Sequence, residues 1–245
     1  EMDILSMKYI GSKRRLKKSI IPILQKAVDD THAAVYLEPF GGGANVIDDI
    51  HCDNRLYYDS HPYLVAMWKH IQETTEDIPL TISKEEYRAV KDSPQDYPDW
   101  YVGLVGFCAS FGSGWFNGYA NPYHDSRNPN KLHDYTNESV RNILKQAPKI
   151  KDVKFECADF RDIYVPDGAV VYCDPPYRGT RKYKGIKDFP YDEYYSWCRY
   201  ISKKATIFMS EAWMPDDFEI ILEKEVRQQL DKSNRKYRPE RLYTL

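Results

Sequence analysis

The chain has 245 residues, 42% of them hydrophobic, and 35 basic against 37 acidic side chains give a formal net charge of −2; this suits one core plus an inserted lobe and argues against a disordered chain or a repeat array. No stretch approaches the roughly 20 apolar residues of a membrane span, and Glu1-Met2-Asp3-Ile4-Leu5 lacks a signal peptide's layout, so a cytoplasmic protein is expected. Five scattered cysteines (Cys52, Cys108, Cys157, Cys173, Cys198) with no Cys-x-x-Cys indicate neither a disulfide framework nor a metal site and read as buried thiols.

Ile20 to Val28 has helical spacing, with Pro22 tolerable in a first turn. A strand over residues 33–37 runs into Glu38-Pro39-Phe40-Gly41-Gly42-Gly43-Ala44, where glycines let the backbone approach a nucleotide-type ligand. The absence of Gly-Lys-Ser/Thr excludes a triphosphate-binding loop. A second strand, Arg55 to Asp59, ends in an acid placed to grip ribose hydroxyls; capping the helix from Pro62 to Ile71 is its compatible alternative.

Residues 78–135 interrupt the alternation of strands and helices. Ser83-Lys84-Glu85-Glu86 reads as a capping box, Trp100 to Ala109 as an apolar segment, and Phe111 to His124 as a glycine-, asparagine- and aromatic-rich recognition loop. Alternation resumes with a helical face at Val140, Ile143, Leu144 and Ala147, then a strand Val153–Cys157 leading to Asp159-Phe160. That pair suits the exocyclic amine and flat face of a cofactor's adenine.

Residues 169–173 form a short apolar run that reads as a buried strand, followed by Asp174-Pro175-Pro176-Tyr177. This tetrapeptide fits methyl transfer to an amino group on a base. The Asp174 carboxylate and the Pro175 carbonyl accept the two N–H groups of an exocyclic amine, which pulls its lone pair out of ring conjugation, and the carboxylate stabilises the charge that develops on nitrogen. Consecutive prolines stiffen the loop and remove competing donors. Tyr177 supplies a stacking face worth about 1–3 kcal/mol to a base flipped from a duplex. A helix with Tyr194, Trp197, Cys198 and Ile201 on a core face, a strand from Thr206 to Ser210 and a helix over 215–224 follow; the segments 225–230 and 241–245 are expected to pair as a hairpin.

The basic residues cluster in three groups: Lys8, Lys13, Arg14, Arg15, Lys17 and Lys18; Arg178, Arg181, Lys182, Lys184 and Lys187; and Arg227, Lys232, Arg235, Lys236, Arg238 and Arg241. Each alone suits a solvated face, but together, with one group following the proline loop directly, they favour a phosphate-tracking surface.

With these residues the chain resembles the Dam-type DNA adenine methyltransferases, in their compact, phage-borne branch, over nearly all its length. Lys8-Tyr9-Ile10-Gly11-Ser12-Lys13 matches the family's Lys-aromatic-x-Gly-x-Lys opening, which implies that Tyr9 and Lys13 lie against the methionine part of S-adenosylmethionine. Glu38, Pro39, Phe40 and Gly42 match its Glu-Pro-Phe-x-Gly-x-Gly turn, with Ala44 replacing the second glycine; Ala212 departs from a later Ser-Glu-Tyr pattern matched by Ser210-Glu211. The resemblance implies that Asp59 holds the ribose, Asp159 and Phe160 the adenine, and Asp174 to Tyr177 the reacting amine; Asp174 is counted with the cofactor site as well. DNA contacts are expected at Lys8, Phe116, Tyr119, Arg178, Arg181 and Lys182. The glycine turn precedes the catalytic loop with the lobe between them, as in the alpha group.

The implied fold is α/β: a Rossmann-like S-adenosylmethionine-dependent methyltransferase sheet with helices on both faces (8–77 and 136–245) and a small, mostly helical and loop target-recognition insertion (78–135). The implied substrate is duplex DNA, with no metal or membrane; monomeric action and a restriction endonuclease counterpart are compatible with it. Cytosine-N4 methylation fits the same geometry, though serine in place of Asp174 is its commoner sign. RNA or protein-glutamine methylation usually goes with Asn-Pro-Pro-Tyr. A catalytically inactive DNA-binding relative has no need of the intact loop, and a nicotinamide-dependent dehydrogenase would leave it without a role.

Overall fold

The computed structural model describes Met7 and residues 16–126, 128–176, 189–227 and 237–245. In chain order the elements are α1 (Lys17–Thr31), β1 (Val35–Glu38), β2 (Asn54–Asp59), α2 (Pro62–Glu73), α3 (Lys84–Asp92), α4 (Asp99–Cys108), β3 (Tyr123–His124), β4 (Leu132–His133), α5 (Tyr135–Gln146), β5 (Val153–Cys157), β6 (Val170–Cys173), α6 (Tyr191–Ile201), β7 (Thr206–Glu211), β8 (Glu219–Arg227) and β9 (Tyr237–Thr244).

Seven strands form one sheet in the order β5-β2-β1-β6-β7-β9-β8. β9 is antiparallel to both its neighbours, and the other strands run the same way. The chain builds outward from β1 through β2 to β5, then returns to place β6 on the other side of β1. This reversal between β1 and β6 is the kind of topological switch point that opens a crevice at the strands' carboxyl ends.

Side-chain alternation along the strands supplies two cores. Tyr36, Tyr57, Val170, Tyr172 and Phe208 face one layer with Leu24 of α1, Trp68 of α2, Leu104 of α4 and Ile143 of α5. Leu37, Val171, Cys173, Ile207 and Met209 face the other with Tyr194, Cys198 and Ile201 of α6. The central strands are therefore buried on both faces, as expected of the Rossmann-like class, while the outer strands β5 and β8 carry exposed residues.

The ends of the elements have local causes. The Ser83 hydroxyl accepts the Glu86 N–H at 3.0 Å to start α3, and Asp134 accepts the Asn137 N–H at 2.9 Å to start α5. Pro62 opens α2, where a missing N–H costs nothing. Inside 78–135, α4 lies so close to α2 that a Cβ on Gly103 would collide with the Tyr63 carbonyl, and the short β3–β4 hairpin is an element the periodicity did not reveal.

Several expectations need correction. α1 begins a turn before Ile20, so Pro22 sits inside the helix and cannot donate to the Lys18 carbonyl. The helix expected over 215–224 is a turn, with the Phe218 N–H on the Pro215 carbonyl at 3.0 Å, followed by β8; pairing with β9 decides a short apolar run whose period is ambiguous. The closing hairpin exists, but over Glu219–Arg227 and Tyr237–Thr244. Cys157 is exposed and Cys52 half-buried, whereas Cys108, Cys173 and Cys198 are buried.

Candidate active site

Four acids reach one edge of the sheet because β5, β2, β1 and β6 are parallel neighbours. Glu38 ends β1 opposite Tyr57, and Asp59 ends β2 opposite Cys157, two residues before Asp159. Asp174 follows Cys173 directly at the end of β6. Glu38 and Asp174 thus flank the switch point, with Asp59 and Asp159 on the β2–β5 side.

The turn between Glu38 and Ala44 is fixed from several directions. The Gly41 N–H donates to the Tyr58 carbonyl at 2.8 Å, and the Ala44 N–H to the Gly41 carbonyl at 2.9 Å. The Gly42 carbonyl accepts from the Tyr57 hydroxyl at 2.8 Å and the Trp68 indole at 3.0 Å, and the Gly42 N–H donates to Asp59 Oδ2 at 3.0 Å. A Cβ on Gly41 would collide with the buried Tyr57 ring, so the glycine there serves close packing. Gly42 has φ +48° and Ala44 φ +51°; alanine thus occupies a left-handed conformation that glycine adopts more readily.

The carboxylates differ in environment. Glu38 is only 3% exposed and accepts the Tyr36 hydroxyl at 2.9 Å; burial pushes its pKa to about 8, helped by the negative charges of Asp48 and Asp174, while the Tyr36 hydrogen bond and Lys17 pull the other way. Burial also raises the Asp59 pKa, against the opposing pull of the His61 and Gly42 N–H groups. Asp59 Oδ1 accepts the His61 N–H at 2.9 Å, and the residue capping α2 is His61, not Asp59. Each Asp59 oxygen therefore makes one backbone bond and retains acceptor capacity. Asp159 caps the short turn Phe160–Asp162 and is bound by Arg161, whose side chain also reaches Glu193 at 3.0 Å; the Arg161 hydrogen bond holds the Asp159 carboxyl below its usual range.

Around the proline loop, Asp174 is half-buried, Pro175 buried and Pro176 exposed. The hydroxyl of Tyr191, the first residue of α6, donates to the Pro176 carbonyl at 2.9 Å and ties the loop to that helix. Phe40 meets Phe160 at 5.6 Å, Phe189 at 5.7 Å and Tyr194 at 5.7 Å between ring centroids, an aromatic wall beside the β1 turn. Phe160 is fully packed in this wall, while Phe40 is half-buried, and Pro39 is buried.

Of the expected DNA contacts, Phe116 and Tyr119 are half-buried: Phe116 packs on Tyr87 at 5.3 Å, and the Tyr119 hydroxyl donates to the Ile82 carbonyl at 2.7 Å. The exposed aromatic side chains of this region are Phe111 and, on β3, Tyr123. Trp115 stacks on Tyr63 at 5.4 Å and meets His61, whose pKa burial lowers to about 4. Lys8, Tyr9, Lys13, Tyr177, Arg178, Arg181 and Lys182 lie outside the described residues.

Among the described residues, two members of the basic groups have structural partners: Lys17 is buried against Asp48 at 2.7 Å and Asp49 at 2.9 Å, and Arg241 binds Glu223 and the Ala212 carbonyl. Neither belongs to a free phosphate-tracking face. Sequence reasoning missed Tyr57, Trp68, Tyr191 and Gln146, because each acts through a backbone carbonyl that no spacing pattern reveals. Among the described residues, no group of three or more His, Cys, Asp or Glu is placed to hold a metal ion, and no helix is long and apolar enough to cross a membrane.

A comparison with curated proteins found no match. The family model for D12 class N6 adenine-specific DNA methyltransferases matches residues 9–102 and 101–227, a span that contains the β1 turn, Asp59, Asp159 and the Asp-Pro-Pro loop. With that match over most of its length, and with four acids gathered at the switch-point edge of a mostly parallel sheet, the chain belongs to the D12 class of N6 adenine-specific DNA methyltransferases.

Proposed function

We propose that the enzyme transfers a methyl group from S-adenosylmethionine to the 6-amino group of an adenine flipped out of duplex DNA into a pocket built on Asp174, Pro175, Pro176 and Tyr177. The observation that carries this reading is the position of Asp174 beside Glu38 at the switch point, with Asp59 and Asp159 along the same edge. The residues suit the cofactor: a glycine turn closed by its own hydrogen bonds, an acid with spare acceptor capacity at the end of β2, and an aromatic wall at Phe40 and Phe160.

In this reading Asp59 accepts from the ribose hydroxyls, Asp159 accepts from the cofactor's adenine amine, and Phe160 backs the wall on which that ring rests. Glu38, Pro39, Phe40 and Gly42 shape the turn, while Tyr9 and Lys13 close over the methionine part. S-adenosylmethionine supplies an electrophilic methyl group on a sulfonium. Asp174 and the Pro175 carbonyl hold the two N–H groups of the target amine, so its lone pair faces that methyl, and Tyr177 stacks on the flipped base. Tyr191 already occupies the Pro176 carbonyl, which favours Pro175 as the second acceptor. Residues 78–135 would select the sequence, with 8–77 and 136–245 as the catalytic domain; Lys8, Phe116, Tyr119, Arg178, Arg181 and Lys182 are proposed to contact DNA.

The test is incorporation of labelled methyl groups into duplexes of varied sequence, with the modified base identified. N6-methyladenine in DNA is expected; label only in RNA or protein, or on cytosine, overturns the reading. Asp174→Ala should reduce transfer at least about 100-fold while binding S-adenosylmethionine, since it removes a charge-stabilising acceptor. Undiminished transfer removes Asp174 from the mechanism.

A further inference from the structure

The carboxamide of Gln146 lies on α5, remote in sequence from the β1 turn, is completely buried, and uses all its principal hydrogen-bonding capacity on backbone. Its Nε2 donates to the Gly43 carbonyl at 3.1 Å and the Ala44 carbonyl at 2.8 Å, and its Oε1 accepts the Met7 N–H at 3.1 Å. Asn45 Nδ2 donates to the Met7 carbonyl at 3.1 Å, so both polar groups of the Met7 backbone are held beside the turn. The Met7 side chain is itself buried in the core. Ala44 has φ +51°, a conformation that costs an L-residue about 1–2 kcal/mol and tends to relax when nothing holds it.

We propose that Gln146 is a positioning residue for the cofactor site, holding Ala44 in its left-handed conformation and locking the Met7 backbone to the glycine turn. It touches no reacting atom. It acts by presenting the turn in its binding-competent shape before any ligand arrives, the usual gain from preorganisation. Glycine at 44 would need no such restraint on φ. The dependence on Gln146 is therefore a property of a turn that carries alanine.

This inference rests on the cofactor reading above, and the experiment separates the two. Gln146→Leu keeps similar bulk and removes the three hydrogen bonds. In the ligand-free chain, amide hydrogen exchange over residues 40–46 should speed up by at least about tenfold at a temperature well below unfolding. The S-adenosylmethionine dissociation constant should rise by at least about tenfold, with KM for the cofactor rising far more than kcat falls. In the Ala44→Gly background the same Gln146→Leu change should cost clearly less on both readouts.

A Gln146→Leu chain with a lowered melting temperature but unchanged exchange at 40–46 and unchanged cofactor affinity makes Gln146 a core residue only and overturns the inference. So does an equal loss in the alanine and glycine backgrounds. If the unaltered chain takes up no S-adenosylmethionine, the proposed function falls and this inference with it; uptake by the unaltered chain that Gln146→Leu leaves intact overturns this inference alone.

Discussion

Replacing Gly41 by alanine tests how tightly the β1 turn is packed. The backbone at Gly41 is not left-handed, so alanine carries no conformational penalty there and the effect is one of space. The added Cβ would press on three carbons of the Tyr57 ring, the most distant of them, Cζ, at 2.7 Å, where real Cβ contacts do not fall below 3.0 Å. The ring cannot easily retreat: it is fully buried, lies 4.7 Å from Phe155, and its hydroxyl is bound to the Gly42 carbonyl. Overpacking of this kind costs about 1–3 kcal/mol.

Taking about 2 kcal/mol, and about 2–4 °C per kcal/mol for a chain of this size, Gly41→Ala should lower the melting temperature by about 4–8 °C. Cofactor affinity should fall too, because the displaced ring takes its hydroxyl from Gly42. Scanning calorimetry of the ligand-free chain measures the first effect, and isothermal titration with S-adenosylmethionine the second. The decisive arm is the cycle with Tyr57→Leu. If the collision is the cause, the two changes together should cost about 0.5–3 kcal/mol less than their sum. An unshifted melting temperature for Gly41→Ala, or strict additivity in the cycle, would refute the reasoning.

Glu38→Gln should change how stability depends on pH. Burial raises the folded-state pKa from 4.5 to about 8, so the folded chain keeps a proton that the unfolded chain has released between those values. This contribution is complete below about pH 4.5 and is lost as pH rises through about 8, and glutamine does not titrate. The stability of the unaltered chain relative to Glu38→Gln should therefore decline from pH 5 to pH 8.5, and parallel melting curves for the two proteins would contradict this. Lys17→Met should cost about 3–5 kcal/mol, because it strands the Asp48 carboxylate, whose side chain is 1% exposed. Adding Asp48→Asn should recover part of the loss in denaturant titrations; no recovery would show that the Lys17–Asp48 pair is not its source.

Much of this molecule was legible from local chemistry. The strands β1, β6 and β7 read as short apolar runs because both their faces are covered, whereas β2 and β5 alternate buried with more exposed residues; all five follow from the sequence to within a residue or two, with the acids Glu38, Asp59, Asp159 and Asp174 at or just past strand ends. Helix starts at Ser83 and Pro62 followed from the needs of unpaired N–H groups. The segment of β8 is not legible in this way: the three-residue apolar run Ile220-Ile221-Leu222 has no decisive period, and only pairing with β9, itself inserted beside β7, makes it a strand.

The sequence by itself determined which residues are chemically able to activate an amine and to bind a nucleotide-like cofactor, because carboxylates, paired prolines and glycines carry those abilities wherever they are. Only the tertiary structure decided how they act together. Strand order brings acids from residues 38, 59, 159 and 174 to one edge, burial gives Glu38 a proton affinity unlike that of Asp159, and Lys17 turns out to neutralise Asp48 rather than face a phosphate. The restraint of Ala44 by Gln146, 102 residues away in sequence, belongs to this second class. Hydrogen bonds to backbone carbonyls depend on distances set by packing, and a side chain that makes them looks in the sequence like any other polar residue on a helix.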